Sequence, residues 1–338
     1  MQGVRSTIAA PESPALLARE VQRLGTAHTL YVSGDYVVLV AMREAIPRVM
    51  DEIGRLRELS FRAVSEGTGN ERDLDRFDDW YLQLFVWQTS TQQVLGAYRL
   101  CMTDVVRRRQ GEAALYTNSL FEFQPGFLDE LGPAVELGRS FVRPELQGAG
   151  RVLALLWRGI GHLLAARPRY RRLFGPVSVS SAYSERSRQL IAQRLCSGSY
   201  RHALAGRVRP LHPVPANEVA DVVSDAEDMR GLSRRVLELE EHQKGLPILM
   251  REYVKLGGQF LAFSVDPAFQ AAMDGLVVVD LDRTQPRLLS LHMGPENYER
   301  FRRFGDVATA PAHTRARAAL PRRLSLPGAS GFEPADAP

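Results

Sequence analysis

The stretch AVELGRSFVRPELQGAG, residues 134–150, decides the reading of this chain: it begins as a buried strand, ends as a glycine turn, and carries Glu136 and Arg139 inside its apolar part. In a plain strand side chains alternate, so residues three apart lie on opposite faces. Gly138 stands between the two, and a bulge there would bring both side chains to one face while releasing backbone N–H groups from the ladder. Released donors of that kind stabilise a carbonyl oxygen as it takes up negative charge. From this segment alone the pair reads equally as a reaction centre or as an ion pair closing a sheet edge. The turn that follows sets Gln147, Gly148 and Gly150 ahead of a helix, where backbone amides can face a phosphate.

Working outward, residues 27–42 read as a hairpin around a Ser-Gly turn, and residues 44–65 as a helix that stops at EGTGN. WYLQLFVWQ (80–88) and QVLGAYRLCM (93–102) make a second hairpin, while residues 103–133 show no clear period. A helix over 148–166 ends before Arg167-Pro168, and strand RLFGPVSVS and a helix over 184–197 continue the alternation. A charged helical piece at 226–242 lies in what reads as an insertion over 200–245. A helix near 247–255 and strands QFLAFSV and LVVVDL (276–281) follow. The tail from 306, rich in Ala, Pro and Arg, reads as disordered.

The 338 residues are 45% hydrophobic and 24% charged, the mixture of a folded globular chain. Two cysteines, Cys101 and Cys196, supply neither a disulfide framework nor a zinc site, so the expected compartment is the reducing cytoplasm. The first twenty-five residues lack the pattern of a secretory signal, and apolar runs such as VVLVAM (37–42) fall short of the ~20 residues of a membrane span. Any membrane contact is therefore expected to be peripheral, at the inner membrane. The seven histidines have no metal-ligand spacing and none begins the His-x4-Asp signature of lysophospholipid O-acyltransferases, so no metal is expected. The net charge of +4 is carried almost wholly by arginine. Clusters at Arg107–Arg109 and at Arg167, Arg169, Arg171 and Arg172 read either as a docking face for an acidic partner or as a solvated face, and no nucleic acid is expected.

The order hairpin, helix, hairpin, strand, glycine turn, helix resembles the GNAT acyltransferase fold. That resemblance implies an α/β (α+β) architecture with a central mixed, mostly antiparallel twisted sheet flanked by helices. The family's cofactor loop, Gln-x-x-Gly-x-Gly/Ala, is matched by Gln147 and Gly150, while Val152 stands where the last small residue belongs and points away from a pyrophosphate cradle and acetyl-CoA. The strings LRELSFRAVSEGTG, ERDLDRFDDWY, VLGAYRL, VELGRSFVRPELQ, LLWRGI and LFGPVSVSSAY resemble the acyltransferases that carry fatty acyl groups from acyl carrier protein to amino acids in ornithine-lipid synthesis. LPILMREYVKLGG and FSVDPAF extend the likeness to about residue 290 in members catalogued as hemolysin-like.

What this resemblance implies is one acyltransferase domain over 27–305, with 1–26 a disordered extension. It implies no tightly bound cofactor, an acyl-phosphopantetheine of acyl carrier protein as co-substrate, and an amino acid or other small amine as acceptor. A fainter similarity to acyl-homoserine-lactone synthases covers Arg57, Phe61, Asp75, Asp78, Arg99, Glu136 and Arg139. On that basis Glu136 is the expected general base, oriented by Arg139, and Tyr183 the expected general acid. Arg57, Phe61, Asp75, Asp78, Arg99 and Ser140 are expected around the substrate, with Arg99 able to meet its carboxylate. Gln147, Gly148, Gly150 and Arg151 are expected at the donor, with Arg158 and the 167–172 arginines steering the acidic carrier. Two alternatives stand beside this one: an acyl-CoA-dependent GNAT enzyme, and a non-enzymatic lipid- or membrane-binding protein exposing an apolar face of VLALLWRGIGHLL (152–164).

Overall fold

Prolines open the first two helices, α1 (Pro14–Leu24) and α2 (Pro47–Arg62), where their missing N–H removes no intrahelical bond. In the computed structural model the described residues are 6–148, 150–215, 228–241 and 245–309. Between α1 and α2, β1 (Thr29–Ser33) and β2 (Tyr36–Met42) form the first hairpin, and β3 (Leu82–Gln88) and β4 (Gln93–Met102) form the second. The aperiodic stretch after β4 holds α3 (Thr103–Gln110), β5 (Phe121–Phe123) and α4 (Phe127–Leu131). Then come β6 (Ala134–Val142), α5 (Arg151–Ala166), β7 (Arg172–Val179) and α6 (Glu185–Leu195). They are followed by β8 (Val208–Pro210), α7 (Met229–Leu239), α8 (Ile248–Lys255), β9 (Gln259–Asp266) and β10 (Ala272–Asp280), and α9 (Pro286–Met293) and α10 (Pro295–Thr309) end the described chain.

Eight strands make one sheet in the order β1-β2-β3-β4-β6-β7-β10-β9, with β5 and β8 paired in a separate ribbon. Every pair of named strands is antiparallel except β6–β7, and that parallel pair is short: it runs from Ala134↔Arg172 to Glu136↔Phe174. Beyond it the two strands part. Gly175 marks the place, because a Cβ there would lie 2.1 Å from the Leu137 carbonyl oxygen, so only glycine admits the close approach. The wedge between the parted strands is where the cavity described below opens.

Helix α5 covers one face of the sheet with Val152, Leu155, Leu156, Trp157, Ile160, Leu163 and Leu164, all buried, and α9 and α10 pack against it. At about 1.5–3 kcal/mol for each large apolar side chain removed from water, this is a main source of the fold's stability. The apolar face of residues 152–164 is therefore interior, and the membrane-binding alternative built on its exposure does not hold. No helix among the described residues is long and apolar enough to cross a membrane.

Over its described part the N-terminal extension is not the disordered arm expected of residues 1–26, while residues 1–5 lie outside the described residues. Leu17, Ala18 and Leu24 of α1 are buried in the cluster that holds Val49 and Ile53 of α2. The reason is that α2 starts at Ile46 without a side-chain cap of its own, and α1 supplies one: Glu20 accepts from the backbone N–H of Arg48 at 3.0 Å and of Val49 at 2.9 Å. The insertion at 200–245 contributes β8 to the ribbon and α7 against α6, while its residues 216–227 and 242–244 lie outside the described residues. Helix α10 runs into the expected disordered tail as far as Thr309, and residues 310–338 also lie outside them.

Candidate active site

The bulge in β6 exists, one step from where glycine suggested it. Ala97 pairs with Phe141 and Arg99 with Gly138, so the extra residue falls at Arg139–Ser140, and Arg139 itself takes φ 47°. A non-glycine residue held in the left-handed region costs about 1–3 kcal/mol and persists only where the surroundings hold it. Here they do. Arg139 Nε lies 3.2 Å from Asp73 Oδ2, its Nη2 3.7 Å from Asp75 Oδ2, and its Nη1 donates to the Tyr116 hydroxyl at 3.1 Å.

Glu136 goes elsewhere, which corrects the expected Glu136–Arg139 pair. Its Oε2 accepts from the Tyr81 hydroxyl at 2.5 Å and its Oε1 from the Thr117 backbone N–H at 2.8 Å, with Cys101 Sγ at 3.7 Å. The carboxyl is 1% exposed, so burial raises its pKa against these hydrogen bonds, and it does not line the cavity. Both oxygens are occupied by the protein. A carboxylate so placed is turned toward the protein and away from the cavity, and it fixes the turn at 116–117.

Arg57, Asp75, Asp78 and Arg99 form a second buried unit rather than a substrate wall. Asp78 Oδ1 is 2.9 Å from Arg57 Nη1 and 3.4 Å from Arg99 Nη1, and Arg99 Nη1 donates to Asp75 Oδ1 at 2.5 Å. Arg57 also donates to Gln83 Oε1 at 2.7 Å, and the Arg99 guanidinium lies about 5 Å from the rings of Tyr81 and Tyr116, at 5.2 and 5.0 Å. Burial alone would raise the Asp78 carboxyl, but Arg57 and Arg99 outweigh it and hold the group well below the usual carboxylate range. The acids at 75 and 78 also cap a short turn, with Asp75 accepting from Phe77 N at 2.9 Å and Asp78 from Asp75 N at 3.0 Å.

The wedge between β6 and β7 is a cavity of about 740 Å³. Of the residues expected at the site, Phe61, Arg139, Ser140, Gln147, Gly148, Gly150 and Tyr183 line it, whereas Arg57, Asp75, Asp78, Arg99, Glu136 and Arg151 do not. Much of the wall is apolar, from Val64, Phe141, Val142, Leu153, Leu156 and Phe269. One part is acidic, and sequence reading missed it: Glu66 from the turn after α2 and Asp274 from β10 line the cavity, each 6% exposed. Burial pushes the Glu66 carboxyl up to about 7, against a hydrogen bond from Ser178 and the charge of Arg139. Burial, then the neighbouring Asp266 and Glu66, push Asp274 well above the usual carboxylate range. The signals were present in the sequence, because Asp274 is an acid set beside the apolar run LVVVDL and Glu66 opens the EGTG turn.

Tyr183 lines the cavity with its hydroxyl donated to the Gly245 carbonyl at 2.7 Å, and burial raises its pKa. The glycine turn lies at the rim, where Gly150 takes φ 69° as the N-cap residue of α5, which has no side-chain cap. Val152, the departure from the cofactor-loop pattern, is spent on packing: a Cβ on Gly96 of β4 would lie 3.0 Å from Val152 Cγ1. The arginines expected to steer a carrier are largely engaged. Arg151 stacks 4.3 Å from the Tyr36 ring, and Arg158 donates to the Tyr31 hydroxyl at 3.0 Å. Arg169 pairs with Asp104, Arg171 with Asp282, and Arg172 donates to the Leu131 carbonyl at 3.0 Å. By contrast Arg251 of α8 lines the cavity and is exposed.

A mixed, mostly antiparallel sheet flanked by helices, with one short parallel pair that splays open, is of the GNAT type, and residues 56–158 match the family model described as an acetyltransferase (GNAT) domain. Among curated proteins, one named glycine N(alpha)-acyltransferase from Bacteroides thetaiotaomicron is 37% identical over 192 residues, covering 54% of this chain and 57% of that protein. Another of the same name from Phocaeicola vulgatus is 36% identical over 195 residues, 54% of this chain and 60% of that protein. The chain thus spans less than two thirds of the length of these relatives.

Proposed function

We propose that this protein is an N-acyltransferase that moves a fatty acyl group, 3-hydroxylated ones included, from the phosphopantetheine thioester of acyl carrier protein to the amine of an amino acid. The observation that carries the reading is the cavity in the strand wedge, which joins an apolar wall to an acidic patch beside a glycine turn. An acyl chain suits the first, an ammonium the second, and a single phosphate the third. The names of the relatives favour a small α-amino acid such as glycine, and ornithine is the acceptor suggested by the ornithine-lipid resemblance. Carrier protein is preferred to CoA because Val152 stands where the cofactor-loop pattern has its last small residue. Exposed Ile248 and Leu291 at the cavity lining are where a peripheral membrane contact would receive the lipid product.

The test is direct. Purified protein is incubated with a long-chain 3-hydroxyacyl carrier protein or the matching acyl-CoA, and with glycine, ornithine, lysine or a polyamine in turn. Mass spectrometry should find an N-acyl amino acid, formed faster from the carrier-protein donor. No acylated amine with any donor would refute the reading, and equal efficiency with CoA would remove the carrier from it.

A further inference from the structure

We propose that Glu66 and Asp274 form the acceptor-amine site, Glu66 taking the proton of the incoming ammonium and Asp274 holding its nitrogen against the thioester. This rests on the acyl-transfer reading above and assigns the base to a residue outside β6. Both carboxyls are more than nine-tenths buried and both line the cavity. They are held there by the fold. Ser180 Oγ donates to the Val64 carbonyl and Ser181 Oγ to the Ser65 carbonyl at 3.2 Å, so the end of β7 grips the turn that carries Glu66. Glu58, fully buried, accepts from the Thr68 and Gly69 backbone N–H groups at 3.0 and 2.8 Å and fixes the turn from its other side. Asp274 sits within the sheet, opposite Ser178 of β7 and Ser264 of β9.

Two observations, one within the acidic pair and one outside it, point to a ligand. Among the described residues no hydrogen bond or ion pair reaches the Asp274 carboxyl. The Tyr98 hydroxyl from β4, in a side chain 1% exposed that lines the same cavity, has the Ser140 and Tyr253 hydroxyls as neighbours but meets neither in full hydrogen-bond geometry. Buried polar groups left open in this way are costly unless something brings the complementary group. What the acidic patch lacks is donors, and an alkylammonium supplies three. The nearby cation does not fill the need, because Arg139 is engaged by Asp73, Asp75 and Tyr116.

The groups that face Glu66 are Ser178 of β7, Arg139 of β6, Asp274 of β10 and the Tyr183 hydroxyl; Asp266 of β9 stands behind Asp274 and Arg251 beside Tyr183. Their balance leaves Glu66 near pH 7 part ionised, able to accept a proton and to release it. One proton passes from R–NH3+ to Glu66, and the free amine attacks the thioester carbonyl carbon. A C–N bond forms and the C–S bond breaks. The second nitrogen proton leaves with the thiolate, directly or through Tyr183, giving amide and thiol, and Glu66 returns its proton to water.

The experiment measures transfer to glycine from an acyl carrier protein donor between about pH 5.5 and 9. For wild type kcat/KM should rise through an inflexion near 7. Glu66→Gln should lower kcat by about 100-fold or more and abolish the inflexion with Tm retained, since a general base contributes about 10²–10⁴. Ser178→Ala should move the inflexion upward, because it removes a hydrogen bond that favours the carboxylate. Asp274→Asn should raise the KM for glycine more than it lowers kcat. Retention of rate within about threefold and of the same inflexion by Glu66→Gln would overturn the proposal. Calorimetric binding of glycine and of methylamine keeps the two readings apart. If wild type transfers no acyl group, the functional reading falls, yet amine binding that Asp274→Asn weakens supports the site; no amine binding by wild type overturns it.

Discussion

Two groups of buried carboxylates lie in this molecule, and the protein treats them differently. Around Arg57 and Arg99, the oxygens of the buried Asp78 and Glu136, and of the half-buried Asp75, meet guanidinium, hydroxyl or amide donors at hydrogen-bonding distance. At the cavity wall, Glu66 has Ser178, and among the described residues no hydrogen-bond donor reaches Asp274. The contrast separates two uses of buried charge: a satisfied carboxylate fixes geometry, and one left open waits for chemistry.

The sharpest way to break this contrast is to remove a member of the satisfied group. Asp78→Ala leaves Arg57 and Arg99 buried without their shared counter-charge, and it should cost about 3–5 kcal/mol in urea denaturation or prevent folding. Because the arginines outweigh burial and depress the Asp78 carboxyl, its contribution is complete above about pH 4 and fades only as pH falls through the depressed value. A loss near zero would mean that the network carries no structural weight.

Next in size is Glu136→Gln. The amide keeps one acceptor oxygen but turns an NH2 toward a donor, either Tyr81 or Thr117, so stability should fall by about 1–3 kcal/mol while the pH inflexion stays where wild type has it. A large fall in turnover at unchanged Tm, with Glu66→Gln remaining active, would exchange the roles of the two groups. Smaller again is Arg251→Glu, which should raise the KM for the carrier-protein donor by about threefold to tenfold, as added salt does. Arg169→Glu with Arg172→Glu should instead lower Tm through Asp104 and the Leu131 carbonyl and act equally on carrier and short pantetheine donors. Selective loss on the carrier would restore the 167–172 arginines as a docking face. The smallest effect belongs to Tyr98→Phe: its hydroxyl meets Ser140 and Tyr253 only outside full hydrogen-bond geometry, so Tm should change little while the KM of a ligand that uses the hydroxyl increases.

Much of the fold was legible because its main elements carry their own period. The two hairpins, α2, α5 and β7 follow from local apolar spacing and turn residues. The stretch 103–133 was not, since it is assembled from short turns and a three-residue strand whose partner, β8, lies far along the chain. The pairing within the arginine clusters was hidden for a similar reason: Asp104, Asp129 and Asp282 pair with Arg169, Arg107 and Arg171 only after folding. Motif matching located Arg139, Phe61, Tyr183 and the glycine turn at the cavity, while Glu136, the expected base, lies outside its lining. Glu66 becomes visible as a cavity residue only when β7 and β10 arrive beside it.

The parting of β6 and β7 after Glu136 has a consequence for how this protein can change. A pocket opened by failed pairing between two strands is bounded along one edge by main chain, which every residue type supplies alike. Substitutions there can alter what the pocket selects, through Ser140 or Phe141, without touching the amide groups that border it. If the cavity serves the acyl transfer proposed above, selectivity for chain and acceptor is free to drift while the main-chain border stays constant, an arrangement in which one scaffold can serve a series of related substrates.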